Sequence, residues 1–225
     1  IKNVLYKIDY KIVDKVFVVD DACPDNSGQI VKNLNLEKIE IIFSKKNLGV
    51  GGATLLGFKK ALEENYDIIF KLDGDGQHDP KYIIDFKKVF ENENINYCKG
   101  SRFLISDEKK KIPIIRFLGN IVLTYITKKI CKIQNITDAV NGYLAIDSKI
   151  LKKIELEKVC PDYFFEEDLL FKLSFYDLKI KEIPIKTIYF ENRSGLNPIL
   201  VILPFLFKHF KNLLFRLKYE FTRKK

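Results

Sequence analysis

The sequence predicts an α/β fold of the Rossmann-like type, a mostly parallel central sheet with helices on both faces. Three observations carry this. Short β-branched runs alternate with amphipathic stretches over the first hundred residues, the rhythm of a sheet built from strand–helix units. Two of those runs end in paired acids, Val18-Val19-Asp20-Asp21 and Phe70-Lys71-Leu72-Asp73-Gly74-Asp75; open α/β sheets bind ligands at the carboxyl ends of their strands. The 225 residues, 47% hydrophobic and 31% charged, suffice to bury one substantial core.

The elements follow in order. Residues 16–19 read as a buried strand delivering Asp20 and Asp21. The Pro-, Asp-, Asn- and Ser-rich residues 22–28 form a loop that opens a helix near Ser27. Residues 39–43 are a second strand. Gly49, Gly51 and Gly52 make a turn into a helix over residues 53–64, with Leu55, Leu56, Phe58, Ala61 and Leu62 on its apolar side. Residues 68–72 are a strand, 81–91 a helix and 97–100 a strand end. Residues 112–130 are long and apolar yet carry Arg116 and Asn120; 139–146 and 183–189 read as strands, and 165–173 as a helix with acids at its start.

The apolar run 199–207, broken by Pro204, leads into an aromatic and basic helix. Nine residues span roughly 14 Å as a helix, against a hydrocarbon core of about 30 Å, too short to cross a bilayer. An interfacial position is expected, with Phe205, Phe207, Phe210, Leu213, Leu214 and Phe215 buried and Lys/Arg near lipid phosphates; packing on the domain is the alternative. The charge supports this division. Residues 208–225 hold seven Lys or Arg against Glu220 alone, so most of the net charge of +9 lies in the tail. That is a local contact with an anionic membrane surface and not a nucleic-acid groove. We expect a catalytic domain over residues 1–195 and a membrane-interface segment over 196–225. Four widely spaced cysteines without a CxxC pair read as free thiols in a reducing compartment.

Asp73-Gly74-Asp75-Gly76-Gln77-His78-Asp79-Pro80 carries the most chemistry. Strand side chains alternate between faces, so two acids acting together need the strand to end and the backbone to turn, which the glycines permit. Hard oxygen ligands suit Mg²⁺ or Mn²⁺, which take further ligands from a substrate diphosphate. An acidic turn with Asp79-Pro80 as a helix start is the structural alternative.

These pieces, with Asn47-Leu48-Gly49-Val50-Gly51-Gly52, Gly100-Ser101-Arg102-Phe103, Arg116-Phe117-Leu118-Gly119-Asn120, Asn141-Gly142-Tyr143, Phe164-Phe165-Glu166-Glu167-Asp168 and Arg193-Ser194, resemble family 2 glycosyltransferases. The similarity is to the polyprenyl-phosphate, dolichol-phosphate mannose synthase-like group, over residues 15 to 215. The resemblance implies a nucleotide-sugar-binding glycosyltransferase A-type fold and transfer from a nucleotide-diphosphate sugar to a polyprenyl-phosphate carrier at the cytoplasmic membrane face. It assigns donor contacts to Asp20, Asp21, Gly49 and Asp73, the metal to Asp75 and Gln77, and phosphates to Arg102, Arg116 and Arg193. Guanidinium forks suit phosphate oxygens.

Direct inverting displacement follows, with Asp73, Asp75, Glu166 and Asp168 in catalytic positions. A phosphate acceptor is already anionic and needs no general base. A hydroxyl of a glycan or lipid-linked sugar would need one, for which Glu166, Glu167 and Asp168 stand as candidates. A helix N-terminal charge cluster is the structural alternative for that trio. A non-catalytic nucleotide-sugar-binding relative is the remaining reading; receiver-domain and dinucleotide-binding readings lack their Lys-Pro and GxGxxG spacings. The family opens with a strand and a Pro-Ala-Tyr-Asn-Glu-like loop that nothing before Lys15 matches; residues 1–14 look like the helix that follows it, and the chain has no methionine. A gap in the sheet is therefore expected. Ser194-Gly195 stands where the family has Ser-Lys.

Overall fold

The computed structural model describes residues 1–188 and 198–223, with side chains described outside 198–202. Six strands and nine α-helices are described. In order they are α1 (Lys2–Leu5), β1 (Val16–Asp20), α2 (Ser27–Lys32), β2 (Ile39–Phe43), α3 (Gly49–Glu63), β3 (Ile68–Lys71) and α4 (Ile83–Asn92). Then come β4 (Tyr97–Ser101), α5 (Ser106–Lys111), α6 (Ile114–Cys131), β5 (Leu144–Asp147), α7 (Ser148–Leu151), α8 (Phe165–Leu173), β6 (Ile180–Pro184) and α9 (Pro198–Arg223).

The strands form two sheets, a parallel β1–β2 pair and a four-stranded sheet ordered β3-β5-β4-β6. β5 runs antiparallel to both β3 and β4, whereas β6 is parallel to β4. Three of the four strands therefore point one way and β5 is reversed. Leu144, Ala145 and Ile146 on β5 are buried on both faces, as a central strand between helical layers requires. The expected gap in the sheet lies between β1 and β3, whose facing edges pair with no strand among the described residues.

The main core packs α3, α6 and α8 on one face of the sheet through Phe58, Ile130, Phe165, Leu169 and Leu170. The opposite face is covered by α4 through Ile83 and Phe86, against Tyr143 and Ile183.

Several elements depart from the sequence expectation. Residues 1–14 are not one helix. Only Lys2–Leu5 is helical, because the Asp9 carboxylate accepts from the Lys11 amide at 2.9 Å and Lys38 Nζ donates to the carbonyls of Tyr10 and Val13, which stabilises turns. The glycines at 49–52 are not a turn before α3 but its first turn. Residues 139–143 are a buried loop ahead of β5, held where Asn141 Oδ1 accepts from the Tyr143 amide at 2.8 Å. β6 begins earlier than expected and ends at Pro184; residue 189 lies outside the described residues.

Helix α9 runs through Pro204 without a break. It is docked on the domain: Phe205 and His209 pack on Phe164 at ring distances of 5.3 and 4.7 Å, and the Arg216 guanidinium lies 3.8 Å over Phe175. Phe205 is therefore a core residue and not a lipid-facing one. Leu203, Phe207, Phe210 and Leu214 remain exposed, as do Ile114, Ile115, Leu118 and Val122 on α6, the helix packed beside α9. Among the described residues no helix is long and apolar enough to cross a membrane.

Candidate active site

Strand β3 ends at Lys71, and the loop beyond it carries Asp73. The Lys71 ammonium is buried and stands 2.8 Å from Asp73 Oδ1 and 3.3 Å from Glu166 Oε1. Glu166 comes from the first turn of α8, 95 residues further along the chain. Burial pulls the Lys71 proton off, but the two carboxylates outweigh it and raise its pKa. Burial likewise pushes Asp73 up, and the charge of Lys71 outweighs it and brings it below its ordinary value. Lys71 and Asp73 thus hold each other charged, and Glu166 closes a compact trio around the ammonium.

Gly142, in the loop before β5, closes over this trio. A Cβ there would lie 2.7 Å from Lys71 Nζ, 2.9 Å from Asp73 Oδ2 and 3.3 Å from Glu166 Oε1. Only hydrogen fits. His78 completes the wall: it is buried, its Nδ1 lies 3.9 Å from Asp73 Oδ2 without a hydrogen-bond partner, and its ring stands 5.3 Å from Tyr143. Burial holds its pKa down at about 4. It is a neutral imidazole at pH 7.

Asp75 lies at the exposed turn that follows, with Oδ1 accepting from the Gln77 amide at 2.8 Å. Partial desolvation by the surrounding protein raises its pKa even at this exposed position, the Gln77 amide opposes this and Asp73 adds to it. Two carboxylates and a side-chain amide within five residues supply hard oxygen donors of the kind Mg²⁺ and Mn²⁺ prefer. A divalent cation would relieve the charge that Asp73 imposes on Asp75, so the donor set fits such an ion. Among the described residues no group of three His, Cys, Asp or Glu could hold a metal ion, so a bound ion would complete its shell with water and substrate oxygens.

Other expected site residues have different partners. Asp20 is buried and accepts from the amides of Cys23 and Gly28 at 2.8 and 2.5 Å, holding its own loop against α2. Asp21 accepts from the amides of Leu48 and Gly49 at 2.8 and 2.9 Å, placing negative charge at the N-terminus of α3. Gly49 has φ +79°, and at Gly51 a Cβ would meet the Pro161 carbonyl at 2.7 Å. These glycines let α3 approach the loop before α8. Both features shape the rim of the site; no carboxylate oxygen of Asp20 is left without a backbone partner.

Arg102 does not present an open fork to solvent. It is buried, with Nε donating to Asp138 Oδ2 at 2.7 Å and Nη2 to Asp138 Oδ1 at 2.8 Å. This bidentate pair keeps Asp138, which burial would raise, below its ordinary pKa. Arg116 is half-buried on α6, and Arg193 lies outside the described residues. Asp168 Oδ2 accepts from the Cys160 amide at 2.8 Å and pairs with Lys172 at 3.4 Å, while Oδ1 accepts from Asn212 at 3.3 Å. It ties α8 to α9 and to the preceding loop. Glu167 is fully buried with neither carboxylate oxygen hydrogen-bonded; burial, then the charge of Glu166, raises its pKa well above the usual carboxylate range.

Sequence reasoning gave no role to Lys71, Gly142 or Lys99, though the first two stand in stretches it singled out. Lys99 is fully buried on β4 and donates to the Asn141 carbonyl, tying the Gly142 loop to the sheet. A lysine inside an otherwise apolar strand run was the one signal available for Lys71 and Lys99, since an unpaired charge there is too costly to persist.

Residues 1–155 match the family described as Glycosyl transferase family 2. Over 205 residues the chain is 33% identical to the UDP-N-acetylglucosamine--dolichyl-phosphate N-acetylglucosaminyltransferase of Methanococcus voltae, covering 85% of this chain and 81% of that protein. It is 28% identical to the undecaprenyl-phosphate mannosyltransferase of Micrococcus luteus, over 76% of this chain and 70% of that one. Among solved structures, glucosyl-3-phosphoglycerate synthase from Mycobacterium tuberculosis in complex with uridine-diphosphate superposes with a TM-score of 0.67 at 15% identity, over 96% of this chain and 74% of that one. The same enzyme in complex with Mn²⁺, uridine-diphosphate and glucosyl-3-phosphoglycerate gives 0.63 at 14% identity. At such identity the likeness concerns the fold.

Proposed function

Because the chain belongs to glycosyltransferase family 2, and is a glycosyltransferase with that A-type fold, we propose that it moves a sugar from a nucleotide-diphosphate sugar onto the phosphate of a polyprenyl carrier. The names of the relatives favour this acceptor: a dolichyl phosphate in one and an undecaprenyl phosphate in another.

The observation that carries the choice is the state of the acids on α8. Glu166 is paired with the Lys71 ammonium, Asp168 is engaged by an amide, a lysine and an asparagine, and Glu167 is buried with neither oxygen hydrogen-bonded. A general base must be ionised and within reach of the proton it takes. Each of the three is committed within the protein, Glu166 to Lys71, Asp168 to its three partners and Glu167 to the core. An acceptor phosphate, already anionic, dispenses with the base, whereas a sugar hydroxyl would not.

The reaction is then a single displacement. An acceptor phosphate oxygen attacks the anomeric carbon, the bond from that carbon to the diphosphate oxygen breaks, and the leaving nucleoside diphosphate takes the electron pair. Configuration inverts, and no proton moves. Asp73 and Glu166, locked by Lys71, orient the donor sugar; Asp168 acts through α8, as a positioning residue. Asp75 and Gln77 would hold Mg²⁺ or Mn²⁺, which would supply positive charge against the diphosphate. Arg116 and Arg193 are the cations we assign to donor and acceptor phosphates; Arg102 serves through Asp138.

The exposed apolar residues of α6 and α9, with Lys211 and Lys218 beside them, suit an anionic membrane surface at which a lipid carrier is met. The test is direct. With Mn²⁺ and a panel of uridine- and guanosine-diphosphate sugars, the protein should form a lipid-linked sugar only when a short polyprenyl phosphate is added. Product with the matching polyprenol in its place would move the reading to a hydroxyl acceptor.

A further inference from the structure

His78 and Thr187 pair across an isolated antiparallel bridge, beside which the Ile188 amide donates to the Gln77 carbonyl at 2.9 Å. That is the pattern of a non-hydrogen-bonded pair, whose side chains share one face at the shorter of the two ladder spacings. His78 is 7% exposed and Thr187 3%. Yet among the described residues neither His78 Nδ1 nor Thr187 Oγ1 has a hydrogen-bond partner. Buried polar atoms are almost always paired, because an unmade bond costs the whole desolvation of the group. The same imidazole nitrogen faces Asp73 Oδ2 at 3.9 Å. Asp73 engages Lys71 through its other oxygen, and its side chain is 33% exposed, so Oδ2 can be reached from the cleft. The ring of His78 is held against Tyr143 at 5.3 Å, which fixes Nδ1 without a bond of its own.

We propose that His78 and Thr187 form, with Asp73 Oδ2, the subsite that recognises one hydroxyl group of the donor sugar. It rests on the reading of the cleft as a nucleotide-sugar site and adds the residues that select the sugar. The separation selects the group. At 3.9 Å the two atoms are too far apart to bond each other, and one atom between them reaches both at about 2.8 Å. That atom must donate to a carboxylate, which only accepts, and accept from the imidazole N–H. A hydroxyl does both. An amide nitrogen only donates, and a carboxylate on the sugar only accepts and would meet the charge of Asp73. The Thr187 hydroxyl, on the same face of the bridge as His78, is free to give or take a further bond. A sugar lacking the matching hydroxyl would leave these groups buried and unpaired, the circumstance in which a site discriminates most strongly.

The experiment reads binding by calorimetry with Mn²⁺ and no acceptor present. The probes are uridine-diphosphate N-acetylglucosamine, uridine-diphosphate glucose and guanosine-diphosphate mannose. For whichever binds tightest, analogues lacking each sugar hydroxyl in turn are then compared. One analogue should bind the parent at least about tenfold more weakly than the intact donor. In Thr187→Val, and in His78→Phe, which keeps a ring against Tyr143, that ratio should fall to about threefold or less, since a partner of the hydroxyl is gone. Thr187→Val should also keep or raise the urea midpoint, because it replaces an unpaired buried hydroxyl by a methyl group of the same shape. It decides alone if His78→Phe does not fold. Three results would overturn the proposal. The first is a donor that binds no better than its nucleoside diphosphate. The second is a set of ratios that either folded variant leaves unchanged, which would make the pair the seat of an internal water. The third is a lowered midpoint in Thr187→Val, which would give its hydroxyl a partner in the fold. The polyprenyl-phosphate reading is decided separately by transfer: a hydroxyl acceptor would leave this subsite standing, and loss of the subsite would leave that acceptor standing.

Discussion

Gly142 and Lys71 are in contact so close that a methyl group on the glycine would sit 2.7 Å from the lysine ammonium. The ammonium cannot retreat, since Asp73 and Glu166 hold it from two directions. Gly142→Ala must therefore displace the trio. We expect kcat to fall at least tenfold, and stability to drop by about 1–3 kcal/mol as in other overpacked sites. Steady-state kinetics with a thermal melt separates the two effects. Unchanged kcat would mean that the trio does not orient the donor.

Metal dependence isolates Asp75 from its neighbours. The side chain is exposed and uses one oxygen to accept from the Gln77 amide, a bond that asparagine retains. Asp75→Asn should leave stability within about 0.5 kcal/mol of the parent, as for most surface changes. It should raise the Mn²⁺ concentration for half-maximal rate at least tenfold. A variant with unaltered metal titration would remove Asp75 from the ligand set.

Much of this was legible beforehand, and the reason is local. β3 and its Asp-Gly-Asp turn announce themselves because strand pattern, glycines and acids are adjacent in sequence, and α8 falls where its acids and apolar spacing put it. What sequence reasoning could not supply was which partner each charged group finds. Asp20, Asp21 and Arg102 have the right chemistry for substrate, yet amides and Asp138 occupy them. Lys71 meets Glu166 only through the packing of α8 on the sheet, and Gly142 matters only because that pair lies beneath it. The reversal of β5 was equally hidden, since a strand's own pattern carries its burial but not its direction.

Acid stability should depend on histidine. The chain has two, His78 and His209, both buried and both held by burial at about 4 against an ordinary 6.5. Between these values the unfolded chain binds the proton and the fold does not, so stability is complete above about pH 6.5 and is lost as pH falls toward 4. Each histidine contributes roughly 3 kcal/mol at most to that loss. Glu167 acts in the opposite sense, since its raised pKa weakens the fold as pH rises past 4.5, so the comparison must be between variants. His209→Phe keeps the ring that packs on Phe164 and removes the proton site. Urea titrations at pH 7 and pH 4.5 should show a smaller difference for this variant than for the parent; equal differences would refute the assignment.

Arg102→Lys distinguishes a structural cation from a phosphate-binding one. Asp138 is fully buried and takes two parallel hydrogen bonds from the guanidinium, a geometry that an ammonium cannot reproduce. Breaking a buried pair by removing one partner costs about 3–5 kcal/mol. Lysine keeps the charge but loses the fork, so a cost of about 2 kcal/mol or more is expected, read as a lower midpoint in urea. A residue that bound phosphate directly would show the reverse: a higher KM for the nucleotide sugar and an unchanged midpoint. Asp138→Asn should reproduce the loss of stability from the other side of the pair, since it leaves Arg102 buried against a neutral amide. If both variants unfold early, and any protein that remains folded binds the donor with an unchanged Kd, Arg102 supports the loop before α5 and the phosphate contacts must come from cations elsewhere, with Arg116 the next to replace.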